Sequence, residues 1–83
     1  MKPTYLVEHG AIAFGEYQIF ASLQAARKAA RIASMRSPDT WIWIYEQPTP
    51  DDKPRKVRRV ITRTHESHET QTSYLTLDMD ANR

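Results

Sequence analysis

Residues 40–47 read TWIWIYEQ, and this stretch decides the fold. Along an extended chain side chains alternate between two faces, so Trp41, Trp43 and Tyr45 point one way while Ile42 and Ile44 point the other. All five are β-branched or aromatic, the residue types that suit a pleated, packed surface. A strand apolar on both faces belongs inside a sheet rather than at its edge. The remaining chain must supply its neighbours and a cover.

The cover comes just before it. Ser22 stands where a helix N-cap belongs, and residues 23–35 follow with neither Gly nor Pro. At 100° per residue, Leu23, Ala26, Ala29, Ala30 and Ala33 fall on one side, and Gln24, Arg27, Lys28 and Arg31 on another. Such an alanine face lets a helix approach a sheet closely. Ser37–Pro38 ends the helix, because proline disfavours the helical state of the residue before it.

Further toward the N-terminus, residues 4–8 predict a strand, His9–Gly10 a turn, and residues 12–20 a second strand broken by Gly15, which marks a bulge or another turn. On the C-terminal side, Pro48, Pro50 and Pro54 surround Asp51–Asp52 in a stiff polar loop, expected to be the longest and most exposed. Residues 56–64 predict a basic strand and residues 65–70 a polar connector. In residues 72–79, Leu75, Leu77 and Met79 alternate with Tyr74, Thr76 and Asp78, a half-buried pattern. Residues 79–83 are expected to fray. The order is ββαβββ, and the prediction is a single α+β domain over residues 1–83. Its architecture is an antiparallel sheet of four to five strands with one helix packed on one face.

Length and composition agree with this outline. An 83-residue chain accommodates one domain with a thin core. With 40% apolar and 27% charged residues, it is too apolar for wholesale disorder. The absence of cysteine excludes disulfides and thiolate zinc sites. No stretch approaches the roughly 18 apolar residues of a membrane span, and the first residues lack a signal-peptide core. The expectation is a soluble, cytoplasmic protein without a membrane partner. Charge is unevenly spread beneath a net +2: residues 51–64 hold six cations against two acids, and residues 65–83 four acids against one cation. Adjacent segments of opposite sign can neutralise each other across a hairpin.

Catalytic constellations are missing. His65 and His68 are three apart rather than the four of a helical zinc motif, and they sit in a polar connector; with His9 as a third ligand they remain a weaker reading than a solvated loop. None of Ser22, Ser34, Ser37, Ser67 and Ser73 lies in a nucleophile elbow, and two glycines cannot build a phosphate-cradling loop. The expectation is a non-catalytic protein with no cofactor and no metal.

Binding is the better-supported class. Arg55, Lys56, Arg58, Arg59 and Arg63, with Arg27 and Arg31 of the helix, supply cations; Trp41, Trp43 and Tyr45 supply large anchors. Trp, Tyr and Arg are the residues that most often dominate protein interfaces. The same set could bind single-stranded DNA or RNA through phosphate pairing and base stacking, although the aromatic signature of an RNA-recognition motif is absent. Alternating aromatics in a small protein are more often core than platform. That would set Trp41 and Trp43 against the alanines and turn Ile42 and Ile44 outward, but the pattern alone leaves the choice of face open. One helix cannot cover both faces of a sheet, so the exposed remainder predicts a protein partner or a homodimer. No family motif matches these residues. Small cysteine-free domains without catalytic groups are common among accessory proteins of phages and mobile elements, anti-CRISPRs among them, which occlude a host machine. On that general character, the expectation is a stoichiometric binder that inhibits or regulates a nucleic-acid-processing or defence complex.

Overall fold

The computed structural model describes residues 2–9, 17–66 and 71–82. The elements run β1 (Thr4–His9), β2 (Tyr17–Phe20), α1 (Leu23–Arg36), β3 (Ile42–Gln47), β4 (Arg55–Glu66) and β5 (Thr72–Asp80). The five strands form one sheet in the order β2-β1-β3-β4-β5, with every neighbouring pair antiparallel. The aromatic strand β3 is central, and α1 lies across one face. The chain is an α+β fold of one helix on a five-stranded antiparallel sheet. The turn at Gly10, the start of the second strand with Gly15, His68 and Arg83 lie outside the described residues.

The helix begins and ends on the predicted chemistry. Ser22 Oγ accepts the Ala25 backbone N–H at 3.1 Å, which satisfies one of the free donors of the first turn. At the other end the Ser37 N–H donates to the Ala33 carbonyl at 3.1 Å, and Pro38 follows. Ala26, Ala30 and Ala33 are buried against Val7, Ile42, Ile44 and Val60, with Tyr5, Phe20, Leu23 and Val57 around them. The isoleucines of β3 therefore face the helix. Trp41 and Trp43 do not, which reverses the expectation of an indole core.

The reason is steric. An alanine-faced helix sits close to the sheet, and the short branched side chains Val7, Ile42, Ile44 and Val60 fill that narrow gap at full burial. Indoles in the same positions would hold the helix off and leave the alanines without contacts.

Two polar details fix the helix over the right part of the sheet. Ser34, late in α1 and fully buried, donates its one hydroxyl hydrogen to the Arg31 carbonyl at 2.7 Å and so accepts from Thr62 Oγ1 at 2.7 Å. Thr62 in turn pairs with Thr76 at 2.9 Å, so a hydroxyl chain crosses from α1 through β4 to β5. Each buried hydroxyl has a partner, as burial requires.

A register shift between Ile44 and Tyr45 makes Val57 an extra residue of β4. This bulge lets Val57 join the core while Lys56 stays opposite Tyr45.

Several boundaries differ from expectation. The polar connector predicted from residue 65 begins later, since His65 and Glu66 continue β4 opposite Ser73 and Thr72. Fraying is predicted from residue 79, but the first described residues of that end are held in the sheet. Met79 and Asp80 pair with Arg59 and Arg58, and the Ala81 N–H donates to the Val57 carbonyl at 3.0 Å. The proline-rich loop is organised by Gln47, whose amide donates to the carbonyls of Pro50 and Asp52, and by a Thr49–Asp52 hydrogen bond.

Candidate binding face

Residues directly opposite each other in a ladder share a face, so the register assigns every side chain. One cross-strand row is Tyr17, Glu8, Trp43, Arg59 and Met79; the next is Ile19, Leu6, Tyr45 and Lys56. The pairs Ile61–Leu77 and Arg63–Leu75 extend the same face along β4 and β5. None of it meets the helix.

The open face nevertheless has an interior. Leu6 and Ile61 are buried there, on the side away from the helix. Trp41, just before β3, packs its ring 6.4 Å from that of Trp43. Tyr17 and Tyr45 meet edge to face at 5.9 Å, an arrangement aromatic quadrupoles favour. Cations lie over the indoles. Lys56 Nζ is 4.2 Å from the centroid of Trp43, and the Arg59 guanidinium carbon is 4.8 Å from that of Trp41.

Glu8 is the acid in these rows, and it accepts a 2.5 Å hydrogen bond from the Tyr45 hydroxyl. Burial of that phenol, followed by its bond to the Glu8 carboxylate, pushes the Tyr45 pKa well above the ordinary tyrosine range. Tyr45 is held as a neutral donor throughout the working pH range.

The predicted cationic set divides between the two faces. Lys56, Arg59 and Arg63 join Trp41, Trp43 and Tyr45 on the open one. Arg55 and Arg58 lie on the helix side, Arg58 by alternation from Arg59 and Arg55 because the extra residue Val57 shifts the alternation by one. Arg55 pairs with Glu46 at 2.6 Å, and Tyr5 donates to the same carboxylate at 3.2 Å. Arg58 and Arg27 each reach Asp78 at 2.7 Å, and Arg31 reaches it at 3.3 Å. Four of the expected partner-binding cations are therefore engaged inside the molecule, so the seven do not form one patch.

Asp78 was legible only as the polar position of an alternating strand. Its carboxylate, with 6% of the side chain exposed, joins a guanidinium of β4 to two of α1. Burial alone raises its pKa, but hydrogen bonds and charge from Arg58 and Arg27 outweigh that and hold it below the usual carboxylate range. Tyr17, Leu6, Ile61, Leu77 and Met79 of the open face were also not singled out from sequence. Their signal was period-two alternation, which assigns a face only once the register is known.

Among the described residues, no group of three His, Cys, Asp or Glu side chains is placed to hold a metal ion. Among them also, no helix is long and apolar enough to cross a membrane. Comparisons of the chain with known protein families, with curated proteins and with solved structures give no match.

Proposed function

We propose that the protein is a non-catalytic binding module that docks on a protein partner through the open face of its sheet. One observation carries this reading. Trp41, Trp43, Tyr17 and Tyr45, half-buried or exposed, sit beside Lys56, Arg59 and Arg63 on a face the helix leaves uncovered. Aromatic anchors over an apolar floor, rimmed by cations, are the composition of an interface core and its edge. The fitting partner surface is apolar with an acidic border. Stoichiometric inhibition or regulation of a nucleic-acid-processing or defence complex, in the manner of small phage accessory proteins, is the form such docking would take.

Binding to single-stranded DNA or RNA is the second reading, favoured by rings and cations on one face. Base stacking needs ring faces, however, and Lys56 and Arg59 already lie over those of Trp43 and Trp41.

Charge reversal separates the readings. Lys56 and Arg63 are exposed, so Lys56→Glu with Arg63→Glu is expected to leave the fold intact. A protein captured at one-to-one stoichiometry by the unaltered chain should be lost by this variant and kept by Lys28→Ala on the outer side of the helix. The docking reading is abandoned if no protein is retained, or if both variants retain it equally. Oligonucleotide affinity that falls steeply with salt would move the assignment to the second reading.

A further inference from the structure

The sheet has two edges, and they are unlike. β2 is a four-residue strand, whereas β5 is nine residues long and pairs with β4 without a register shift. Natural edge strands are commonly protected by proline, lysine or a bulge. β5, TSYLTLDMD, has none of these; its charged residues are Asp78, already paired with arginines, and Asp80 at its end.

Two contacts of Asp39 show which backbone groups of β5 point outward. Its N–H donates to the Thr62 carbonyl at 2.7 Å, and its carboxylate accepts the Thr64 N–H at 3.2 Å. Asp39 adopts a positive φ of 63°, which aspartate tolerates, and lies where β3 would continue. The even-numbered residues of β4 thus turn their backbone groups toward β3, and the odd-numbered ones toward β5. Across that ladder Leu75 and Leu77 are bonded inward to Arg63 and Ile61. Thr72, Tyr74, Thr76 and Asp78 present N–H and C=O along the outer edge, where no strand of the described residues pairs with them.

Exposed apolar side chains gather at the same edge. Among the described residues six large hydrophobic side chains are exposed; two of them, Tyr74 and Leu75, belong to β5, and a third, Met35, lies beside it. Leu75 lies on the open face. Met35 and Tyr74, with Thr62 and Thr76, line a groove of about 380 Å³ on the helix side. A free strand edge with apolar groups on both faces is the arrangement that takes another strand.

We propose that two copies of the chain pair antiparallel along β5, about a twofold axis at Thr76, to form a continuous ten-stranded sheet. The strand is complementary to itself in that register, which is the one that overlaps all nine residues. It sets Leu75 against Leu77, Ser73 against Met79, Tyr74 against Asp78 and Thr72 against Asp80. Acids never oppose acids, whereas registers centred on Asp78 or Met79 would place them face to face. The Asp78 carboxylate brings no bare charge to the contact, because Arg27 and Arg58 already hold it. The two copies of Met35 and Tyr74 converge beside the axis. The open aromatic face stays free, so the pairing does not rest on the partner proposed above.

Sedimentation equilibrium of the full chain tests this. The expected mass is twice 9.7 kDa. Leu75 is 60% exposed, so Leu75→Lys is expected to fold, verified by circular dichroism. Because symmetry counts the substitution twice, it should weaken association roughly tenfold or more. Ile19→Lys, at the β2 edge, should leave association unchanged. The chain has no cysteine, so Thr76→Cys should be captured as a disulfide-linked dimer on mild oxidation, and Thr72→Cys should not. A single-chain mass at every concentration overturns the proposal. So does a dimer that Ile19→Lys dissociates and Leu75→Lys spares, or equal capture through positions 72 and 76.

Discussion

Ile44→Ala is expected to destabilise the fold by about 3–4 kcal/mol, the upper part of the range for emptying a fully packed aliphatic site. Ile44 is 0% exposed and stands between Val7 of β1 and the alanine face of α1. Alanines cannot grow into the space left behind, and the helix is held in place by the Ser34–Thr62 hydrogen bond, so collapse around the cavity is restricted. A domain has only about 0.05–0.15 kcal/mol of stability per residue, so one such substitution removes a large share of the total. Urea titration followed by circular dichroism should show the midpoint fall with an unchanged slope. Trp43→Ala removes more atoms, but from a half-exposed site on the open face, and should cost less. If Trp43→Ala were the more damaging of the two, the assignment of the inner face would be wrong.

The second large effect concerns Asp78. Asp78→Asn removes the charge that three guanidinium groups share, and leaves Arg58 on the helix side without a carboxylate. Removing one partner of a buried ion pair costs about 3–5 kcal/mol. Here Arg27 and Arg31 reach solvent, with side chains 37% and 50% exposed, so the expected loss is nearer about 2–3 kcal/mol. The effect has a pH signature. The folded pKa of Asp78 is depressed, whereas the unfolded value is about 3.9. The carboxylate therefore contributes its stability fully above that unfolded value, and the contribution is lost as pH falls through the depressed folded one. The stability difference between the unaltered chain and Asp78→Asn should hold steady near neutrality and shrink in acid. A difference that widened on acidification would show that the cluster opposes folding.

The outline of the fold was legible because its signals are local. Ser22, the alanine spacing, Ser37–Pro38 and the alternation in residues 41–45 each act within a turn or a strand, and each is found where expected. What was not legible depended on contacts distant in sequence. Residues 41–45 announce two apolar faces, but which one turns inward depends on how close Ala26, Ala30 and Ala33 bring the helix. Alanine reads equally as room for an indole or as permission for close approach. The structure takes the second, with Ile42 and Ile44 inside.

The candidate site divides in the same way. Lys56, Arg59 and Arg63 could be grouped with the tryptophans only after the register was known, and the bulge at Val57 changes that register partway along β4. Arg27, Arg31 and Arg58 looked like free cations because Asp78, their common partner, lies 20 or more residues away in sequence. Of the neutralisation that the adjacent basic and acidic segments suggested, one ion pair, Arg58–Asp78, joins β4 to β5, and Arg27 and Arg31 of the helix share its carboxylate.

Docking through this sheet requires its tryptophan side to be open, and anion-selective fluorescence quenching tests that most directly. Trp41 and Trp43 are the two tryptophans of the chain, and both lie on that side. Lys56 and Arg59 over the rings should concentrate iodide and repel caesium. The predicted result for the free protein is emission quenched readily by iodide and much less by caesium. Blue-shifted emission protected from both ions would place the indoles in the core and contradict the account.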